Sequence, residues 1–161
     1  MTNPLFDALF APLAGRNDPF LILPDGGAIT GMEFHAMCAR AAGAMVEAGL
    51  KPGDRLAVQV AKSPTALALY GGAVMAGVVF LPLNTAYTAP EVEYFLANSG
   101  AGLMLADGEN EAALAPIAAR CGAQLMVLNA DGTGSFAEAM ERATPLPTPA
   151  ARGAGDVAAL L

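Results

Sequence analysis

The side chains that could do acid–base or nucleophilic chemistry are few in this sequence, and they form no catalytic pattern. His35 is the single histidine, and it stands one position beside the apolar stripe of a helical segment. A catalytic triad needs a serine or cysteine and an acid placed around the histidine, and no such spacing is present. We therefore interpret His35 as a partly buried structural residue. Lys62 closes a strand at the edge where ligands would bind, and we interpret it as an ordinary surface lysine.

Two pairs of charged residues stand near the boundaries of predicted elements. Asp54 and Arg55 enter a strand directly after a turn, which predicts a local ion pair or a solvated edge. Glu91 and Glu93 point to different sides of one helix, so we do not expect them to act as paired carboxylates. Glu91 follows Thr88 by three residues, and this spacing is typical of a capping box.

The two cysteines, Cys38 and Cys121, lie far apart in the sequence and belong to no Cys-x-x-Cys motif. Since no histidine pair is near them, neither a zinc site nor a thioredoxin-like motif is available, and we assign no metal ligand. Buried thiols of a reduced, cytoplasmic protein are favoured over a disulfide. The first residues lack a basic segment and carry Asp7 inside a short apolar stretch, which is not typical of a secretory signal peptide.

Three glycine-containing stretches were considered as phosphate-binding loops. Gly71-Gly72 falls inside a predicted helix, and Gly26-Gly27 falls in a turn between two strands, so neither exposes the start of a helix to an anion. DGTGS, residues 131–135, does precede a helix, but it is short and has no following lysine. We interpret it as a surface turn in which the serine caps the helix, and we assign no catalytic or cofactor-binding residue.

Composition limits the class of protein. The chain has 161 residues, of which 55% are apolar and 14% charged, and this predicts one folded domain. Its 15 acidic and 8 basic residues give a net charge of −7, which argues against nucleic acid or an anionic membrane as partner. The uncharged run at 66–83 is long enough for a membrane span. However, Ser63-Pro64 predicts a helix start and Gly77 a helix end, so we read it as a helix followed by a buried strand.

The remaining pattern alternates helices with apolar strands. A short amphipathic helix at 3–13 precedes a small hairpin around Asp-Gly-Gly and a helix that begins with a capping box at Thr30 and Glu33. The buried face of that helix is predicted to contain Phe34, Met37, Ala41, Met45 and Ala48, and Gly49 ends it. Strands are then predicted at 55–60, 78–83, 103–106 and 124–128, and helices at 64–76, 89–99, 110–120 and 135–142.

Apolar strands separated by helices of this length are typical of a doubly wound α/β fold with a mainly parallel sheet covered on both faces. The connections between its strands are expected to be right-handed. We divide the chain into an α/β subdomain at 1–142, a proline-rich connector at 143–155 and the start of a further buried strand at 156–161. The connector is poor in large apolar residues and is not expected to pack.

One long segment resembles a known enzyme superfamily. GLKPGDRLAVQVAKSPTALALYGGAVMAGVVFLPLNTAYTAPEVEYFLANSGAGLMLAD, residues 49–107, resembles the early part of the adenylate-forming acyl-CoA synthetases. Its GD-R-(V/L)-A strand, its (L/V)-x-A-G-x-x-x-x-P-L-N crossover and its T-x-x-E-x-x-(Y/F) helix match in order and spacing. Thr30 to Glu33 matches the T-x-x-E-(L/F) opening, so the resemblance covers nearly the whole chain. LPLNTAYTAPEVEYF and the final DVAALL look most like malonyl-CoA synthetases.

The resemblance implies the fold and function of a larger enzyme. In that superfamily the DVAALL strand runs into a Ser/Thr/Gly-rich loop that wraps the phosphates of ATP, and we expect this chain to be an N-terminal fragment truncated before that loop. The implied activity is ATP-dependent ligation of a carboxylate, malonate above all, to CoA, with Mg²⁺. The family's catalytic residues all fall beyond Leu161, so none is transferred. Residues 1–161 alone are expected to be inactive and to bind ATP weakly or not at all.

Two alternatives to a malonate ligase stay open. The enzyme could act on another short-chain or aromatic acid, because the family builds its acyl pocket outside the residues present here. The chain could also be a non-catalytic α/β interaction module, and the codons after Leu161 distinguish the two classes. No membrane partner is expected, and exposed apolar surface is expected to promote self-association of the isolated chain.

Overall fold

The computed structural model describes residues 2–161, and it has the α/β architecture that the sequence predicts. Except for the first, each helix begins and ends near its predicted residue. The strands are β1 (Pro19–Ile22), β2 (Ala28–Thr30), β3 (Arg55–Gln59), β4 (Val79–Pro82), β5 (Leu103–Ala106) and β6 (Gln124–Val127). The helices are α1 (Pro4–Leu9), α2 (Gly31–Glu47), α3 (Pro64–Ala76), α4 (Ala89–Ser99), α5 (Glu111–Arg120) and α6 (Ser135–Arg142), with 3₁₀ turns at Ala11–Leu13 and Gly108–Asn110.

The larger sheet is fully parallel and has the order β4-β3-β5-β6. The strand register places Leu56 beside Leu103 and Ala57 beside Met104 in the centre of the sheet. β1 and β2 form a separate antiparallel hairpin around the Gly26-Gly27 turn, as expected. Because parallel strands run in one direction, all four carboxyl ends lie along one edge of the larger sheet.

The larger sheet is covered on both faces, which confirms the doubly wound arrangement. One face packs through Leu56, Val58, Leu103 and Leu105 against a layer that contains α1, α2, α3 and α6. The other face packs through residues such as Ala57 and Met104 against α4 and α5. Alternate residues of a strand point to opposite faces, so the continuous apolar strands are explained by burial on both sides.

Helix boundaries follow the predicted start and stop signals. The Thr30 hydroxyl accepts a hydrogen bond from the Glu33 amide at 3.2 Å, and Glu33 accepts one from the Thr30 amide at 2.8 Å. Ser63 caps α3, which ends at Gly77 in the left-handed conformation with φ of 72°. The uncharged run at 66–83 is therefore helix plus strand. Within residues 2–161, no helix combines the length and the apolar character needed to cross a membrane.

Two local predictions need correction. The helix expected at 3–13 breaks after Leu9, and the chain continues as a 3₁₀ turn at Ala11–Leu13, where Pro12 interferes with the α-helical pattern. On α2, Phe34 and its neighbours toward the sheet are fully buried, but Met37 and Ala48 are only half-buried. These two residues lie at the border of the buried stripe rather than at its centre.

The expectation that the segment 143–155 does not pack is wrong. The amide of Leu146 donates to the Ala39 carbonyl of α2 at 2.9 Å, and the amide of Ala150 donates to the Met75 carbonyl of α3 at 2.8 Å. The segment has few large apolar groups, yet Leu146 packs against the core and backbone hydrogen bonds hold the segment against two helices. The division of the chain at 1–142, 143–155 and 156–161 stays a prediction.

The last residues also differ from the expected buried strand. Ala159 forms a single parallel bridge with Phe80 of β4, and Leu160 donates its amide to the Phe80 carbonyl at 3.0 Å. The last residues therefore run parallel to β4 and lie beside it, as a further parallel strand would. Its side chains are not buried, since Val157 is 53% exposed and Leu161 is fully exposed.

Candidate functional site

The candidate site is the edge of the larger sheet at which the four parallel strands end. In open α/β sheets, ligands bind in the crevice outside the carboxyl ends of the strands. Four polar residues follow these ends: Lys62 after β3, Asn84 after β4, Asp107 after β5 and Asn129 after β6. We call this set of strand ends and loops the carboxyl edge.

Gln59 connects the central strand to the loop that follows β4. Its side chain is only 2% exposed, and its Nε2 donates to the carbonyls of Asn84 and Tyr87, both at 3.0 Å. Within the same loop, the Tyr87 amide donates to the Asn84 carbonyl at 3.0 Å, and the Ala86 amide donates to Asn84 Oδ1 at 2.9 Å. The Asn84–Tyr87 turn is therefore fixed both by its own hydrogen bonds and by a buried amide.

Asp107 and Asn129 connect the other loops of the carboxyl edge. The Ala61 amide donates to both carboxylate oxygens of Asp107, at 3.1 and 3.2 Å, which joins the loop after β3 to the end of β5. The Gly108 amide donates to Asn129 Oδ1 at 2.8 Å, which joins the end of β5 to the loop after β6. All four loops are thus linked side by side into one surface.

This edge has the character of a scaffold rather than of a reaction centre. Lys62 is exposed there and supplies a positive charge, while Ser63 and Pro64 begin α3 beside it. The Asp107 carboxylate already accepts hydrogen bonds from the chain. Across residues 2–161, no cluster of three or more His, Cys, Asp or Glu side chains is placed to hold a metal ion. Asp107 is the one carboxylate among the four polar residues of this edge, so these residues do not supply a complete set of oxygen ligands for Mg²⁺.

The candidate residues of the sequence analysis lie apart from this edge or serve the fold. His35 is half-buried, as predicted, with its ring edge-on to Phe6 at 5.9 Å between centroids, and burial lowers its pKa. Cys38 is buried, Cys121 is half-buried, and both are free thiols. Burial raises the pKa of the Cys38 thiol to about 12, so it stays protonated and unreactive at neutral pH.

The acidic residues of α4 have the structural roles that the spacing indicates. The Glu91 carboxylate accepts hydrogen bonds from the amide and the hydroxyl of Thr88, both at 2.7 Å, and these bonds lower the pKa of Glu91. Glu93 forms an exposed ion pair with Arg120 of α5 at 2.9 Å. The two carboxylates therefore have separate partners, and they do not form an acid–base pair.

Ser135 does not cap α6, contrary to prediction. The residue at the cap is Gly134, and Ser135 occupies the first helical position. The Ser135 hydroxyl instead accepts a hydrogen bond from the Val127 amide of β6 at 2.9 Å. Residues 131–135 thus form a turn that fastens α6 to the end of β6, and they do not form an anion-binding loop.

Arg55 does not pair with Asp54 within residues 2–161, so the local ion pair, one of the two predicted alternatives, is wrong. Arg55 Nε donates to the Ser99 carbonyl at 2.6 Å and Arg55 Nη2 to the Gly100 carbonyl at 2.8 Å. Asp54 accepts a hydrogen bond from the Lys51 amide at 2.8 Å. A cation bonded to the last carbonyls of a helix satisfies groups that have no partner within the helix and complements the helix dipole.

We expect Arg55→Met to lower the free energy of unfolding by roughly 1 kcal/mol, because the last carbonyls of α4 lose their charged donor. Urea titration followed by circular dichroism measures the change. Arg142→Met is the control, since the Arg142 side chain is exposed on α6 and its ion-pair partner is the exposed Glu138 at 3.6 Å. Equal stabilities of the two variants would contradict the role of Arg55.

Sequence reasoning missed the two buried amides. Gln59 is a polar residue inside an apolar strand, and Asn3 directly precedes a proline, so each carried a weak signal. Asn3 is also 2% exposed; its Nδ2 donates to the carbonyls of Val74 at 2.8 Å and Ala150 at 3.1 Å. This side chain joins the first residues, the end of α3 and the segment 143–155.

A cavity of about 400 Å³ lies at the opposite edge of the sheet, near the amino end of β4. It is enclosed by α1, by the end of α3 and by residues 152–158, and most of its lining is apolar. The polar groups at its wall already have partners, since Arg152 and Asp156 pair with each other at 3.4 Å. We assign no ligand to this cavity.

The parallel sheet and its two helical layers define a doubly wound α/β subdomain. A profile of the AMP-binding enzyme family matches residues 13–161, and the chain belongs to this family.

Solved structures agree with this assignment. The apo form of MatB from Rhodopseudomonas palustris is 38% identical and superposes with a TM-score of 0.94 over 100% of this chain and 32% of that protein. A benzoate CoA ligase from Burkholderia xenovorans LB400 is 28% identical, with a TM-score of 0.81 over 97% of this chain and 32% of its own. The fold is that of the N-terminal subdomain of MatB, as expected.

Curated relatives match a shorter part of the chain. A feruloyl-CoA synthase from Amycolatopsis is 36% identical over 94 residues, which is 58% of this chain and 19% of that protein. The long-chain-fatty-acid–CoA ligase FadD13 from Mycobacterium tuberculosis is 29% identical over 128 residues, which is 80% of this chain and 25% of that protein. The chain spans about a quarter or less of the length of these relatives.

Proposed function

We propose that this chain is the N-terminal part of an ATP-dependent carboxylate–CoA ligase and that its acid substrate is malonate. The observation that carries the proposal is the similarity to MatB, a malonyl-CoA synthetase, at 38% identity over the whole chain. The match covers the whole chain, so the aligned region includes the loops of the carboxyl edge as well as the core. Family membership supports the use of ATP, and one of the similar MatB structures is an ATP complex.

The reaction of such a ligase proceeds in two steps. The carboxylate oxygen attacks the α-phosphorus of ATP and displaces pyrophosphate, and the thiol of CoA then attacks the acyl carbon and displaces AMP. All of these reactants are anions, with Mg²⁺ offsetting phosphate charge, so the site needs cations and backbone donors. Because residues 2–161 carry neither a glycine-rich phosphate loop nor a metal cluster, their contribution is to support and orient the site.

The runner-up is a ligase for another short-chain or aromatic acid. It is favoured by the resemblance to the benzoate CoA ligase at a TM-score of 0.81 and to the feruloyl-CoA synthase at 36% identity. Both acids carry an aromatic ring and one carboxylate, whereas malonate carries two carboxylates and no ring. A pocket that binds the second carboxylate with charged partners would reject both aromatic acids, so the two proposals predict different substrates.

We expect the full-length protein to form malonyl-CoA with a kcat/KM at least about a hundredfold above that for benzoate, ferulate or acetate, because these acids lack the second carboxylate. AMP release measured with each acid, ATP, Mg²⁺ and CoA tests this. A preference for benzoate or ferulate would favour the runner-up. Absence of AMP release with every acid would favour a non-catalytic interaction module.

The remaining features of the chain fit a small-molecule enzyme. Its net charge of −7 and the free thiols Cys38 and Cys121 support a cytoplasmic protein that binds neither nucleic acid nor membranes. Self-association of the isolated chain, and weak or absent ATP binding by residues 1–161 alone, stay predictions. Isothermal titration of that segment with ATP tests the second of them, and a micromolar affinity would contradict it.

A further inference from the structure

Gln59 is one of two buried polar side chains reported among the described residues, and it lies in the middle of the sheet. It ends β3, which is paired on both sides by β4 and β5. A buried amide is costly unless it is hydrogen-bonded, and an apolar residue would fill the same space without that cost. The presence of glutamine here indicates that its two hydrogen bonds matter.

Both of these bonds go to the same turn. Asn84 and Tyr87 are the first and last residues of this turn. Nε2 of Gln59 donates to both of their carbonyls, at 3.0 Å in each case. The Asn84 carbonyl also accepts a hydrogen bond from the Tyr87 backbone amide at 3.0 Å, which closes the turn. The side-chain amide of Gln59 therefore bonds to the same carbonyl that closes the turn. Gln59 therefore fixes where the whole turn lies relative to β3.

The turn forms part of the carboxyl edge, and it lies between a strand of the larger sheet and a capped helix. Val79–Pro82 leads into it, and the helix α4 begins directly after it with the capping box of Thr88 and Glu91. The Tyr87 ring stacks on Phe95 of α4 with 5.1 Å between centroids. Asn84, Thr85 and Ala86 are exposed at the tip of the turn. A turn that is exposed to solvent yet anchored from below is suited to contact a ligand in a fixed orientation.

We infer that Gln59 is a positioning residue for substrate binding: it holds the Asn84–Tyr87 turn in the conformation that contacts a reactant at the carboxyl edge. The inference rests on the proposed ligase function. Gln59 itself does not touch the reactant, because its side chain lies beneath the turn.

The test compares Gln59 with the other buried amide. Asn3 also donates to two carbonyls from a side chain that is 2% exposed, but it lies near the end of α3 and away from the carboxyl edge. In the full-length protein, Gln59→Met and Asn3→Leu each remove such a pair of hydrogen bonds and leave a side chain of similar length. Asn3→Leu also removes the cap of α1, in which Asn3 Oδ1 accepts the Phe6 amide at 3.2 Å, so it is the more demanding control for lost stability. Both variants are expected to lose thermal stability.

Steady-state kinetics then distinguishes a role of Gln59 in positioning the turn from a general loss of stability. For Gln59→Met we expect KM for at least one of malonate, ATP and CoA to rise about tenfold, the equivalent of a lost hydrogen bond, with little change in kcat. For Asn3→Leu we expect KM for all three to stay at the wild-type value. The substrate whose KM rises identifies the reactant beside the turn.

A second pair of variants, Gln59→Glu and Asn3→Asp, tests the inference even if Gln59→Met or Asn3→Leu fails to fold. Gln59→Glu places a carboxyl group under the two carbonyls; when protonated it can donate to one of them, and when ionised it can donate to neither. We therefore expect its KM defect, relative to wild type at each pH, to shrink as the pH falls from about 8 to about 6. Asn3→Asp also replaces a buried amide with a carboxyl group, but away from the carboxyl edge, and it should show no pH-dependent KM defect.

Three results would overturn the inference. Wild-type KM values in Gln59→Met would exclude a positioning role while leaving the ligase proposal intact. Equal KM defects in the Gln59 and Asn3 variants would assign the effect to lost stability. A full-length wild type that releases no AMP with any acid would refute the proposed function, and the inference with it.

Discussion

Replacing Phe34 with alanine is expected to lower the free energy of unfolding by about 3–5 kcal/mol, the largest effect that we predict. Phe34 lies on α2 and is fully buried in the core cluster that the larger sheet forms with α1, α2, α3 and α6. Its ring also contacts Phe20 of the β1–β2 hairpin, with 4.9 Å between centroids. The substitution removes a large apolar surface and leaves a cavity between three elements that are held by other contacts.

Urea titration measures this loss, and Met32→Ala is the matched control. Met32 lies two residues earlier on the same helix, but its side chain is 48% exposed, so its removal should change stability little. A loss for Phe34→Ala below about 1 kcal/mol, smaller than a typical core truncation, would show that the hairpin and α2 collapse into the space. That outcome would contradict the tight packing expected around the fully buried Phe34 ring.

Gly72→Ala is expected to destabilise the chain by about 1–3 kcal/mol, although alanine is a far better helix former than glycine. Gly72 lies in α3 where that helix crosses α2. A Cβ at this position would lie 2.7 Å from the Cβ of Ala41 and 3.0 Å from the backbone nitrogen of Ala42. Neither neighbour can move away without moving α2, because one contact is with backbone and the other with the first side-chain carbon.

The control for Gly72→Ala is Ala97→Gly on the exposed side of α4. This change gives the cost of glycine in a helix without a packing contact, about 1 kcal/mol. Both substitutions should therefore destabilise the chain, although they change helix propensity in opposite directions. An increase in stability for Gly72→Ala in the same urea titration would mean that α2 and α3 do not approach as closely as the structure shows.

Much of the fold could be predicted because its signals are local. The helix at 64–76 was predicted to the residue from Ser63-Pro64 at its start and Gly77 at its end. The capping boxes at Thr30 and Thr88 did the same for the starts of α2 and α4. At the start of each helix, neighbouring side chains supply the hydrogen-bond partners that the first turn lacks. At the end of α3, Gly77 supplies the left-handed conformation that stops the helix.

The candidate site was predicted less well, since its residues have distant partners. Gln59 bonds to carbonyls 25 and 28 residues away, and Arg55 bonds to carbonyls 44 and 45 residues away. The spacing of Arg55 from Asp54 favoured a local pair, but the end of α4 offered carbonyl acceptors without helix partners. The segment 143–155 was misjudged for the same reason, because backbone hydrogen bonds to α2 and α3 leave no trace in its composition.

The sequence by itself determined the order of helices and strands, the parallel sheet and the family. The order of elements follows from apolar periodicity and caps, in which the interacting residues lie within a few positions along the chain. The parallel sheet was inferred from that order, and the family from the resemblance of short motifs. Only the tertiary structure decided how the carboxyl edge is held together, which glycines touch a neighbouring helix and how exposed the last strand is. Those properties depend on atoms that folding brings together from distant parts of the chain, and hydrogen-bond partners of that kind have no fixed spacing in a sequence.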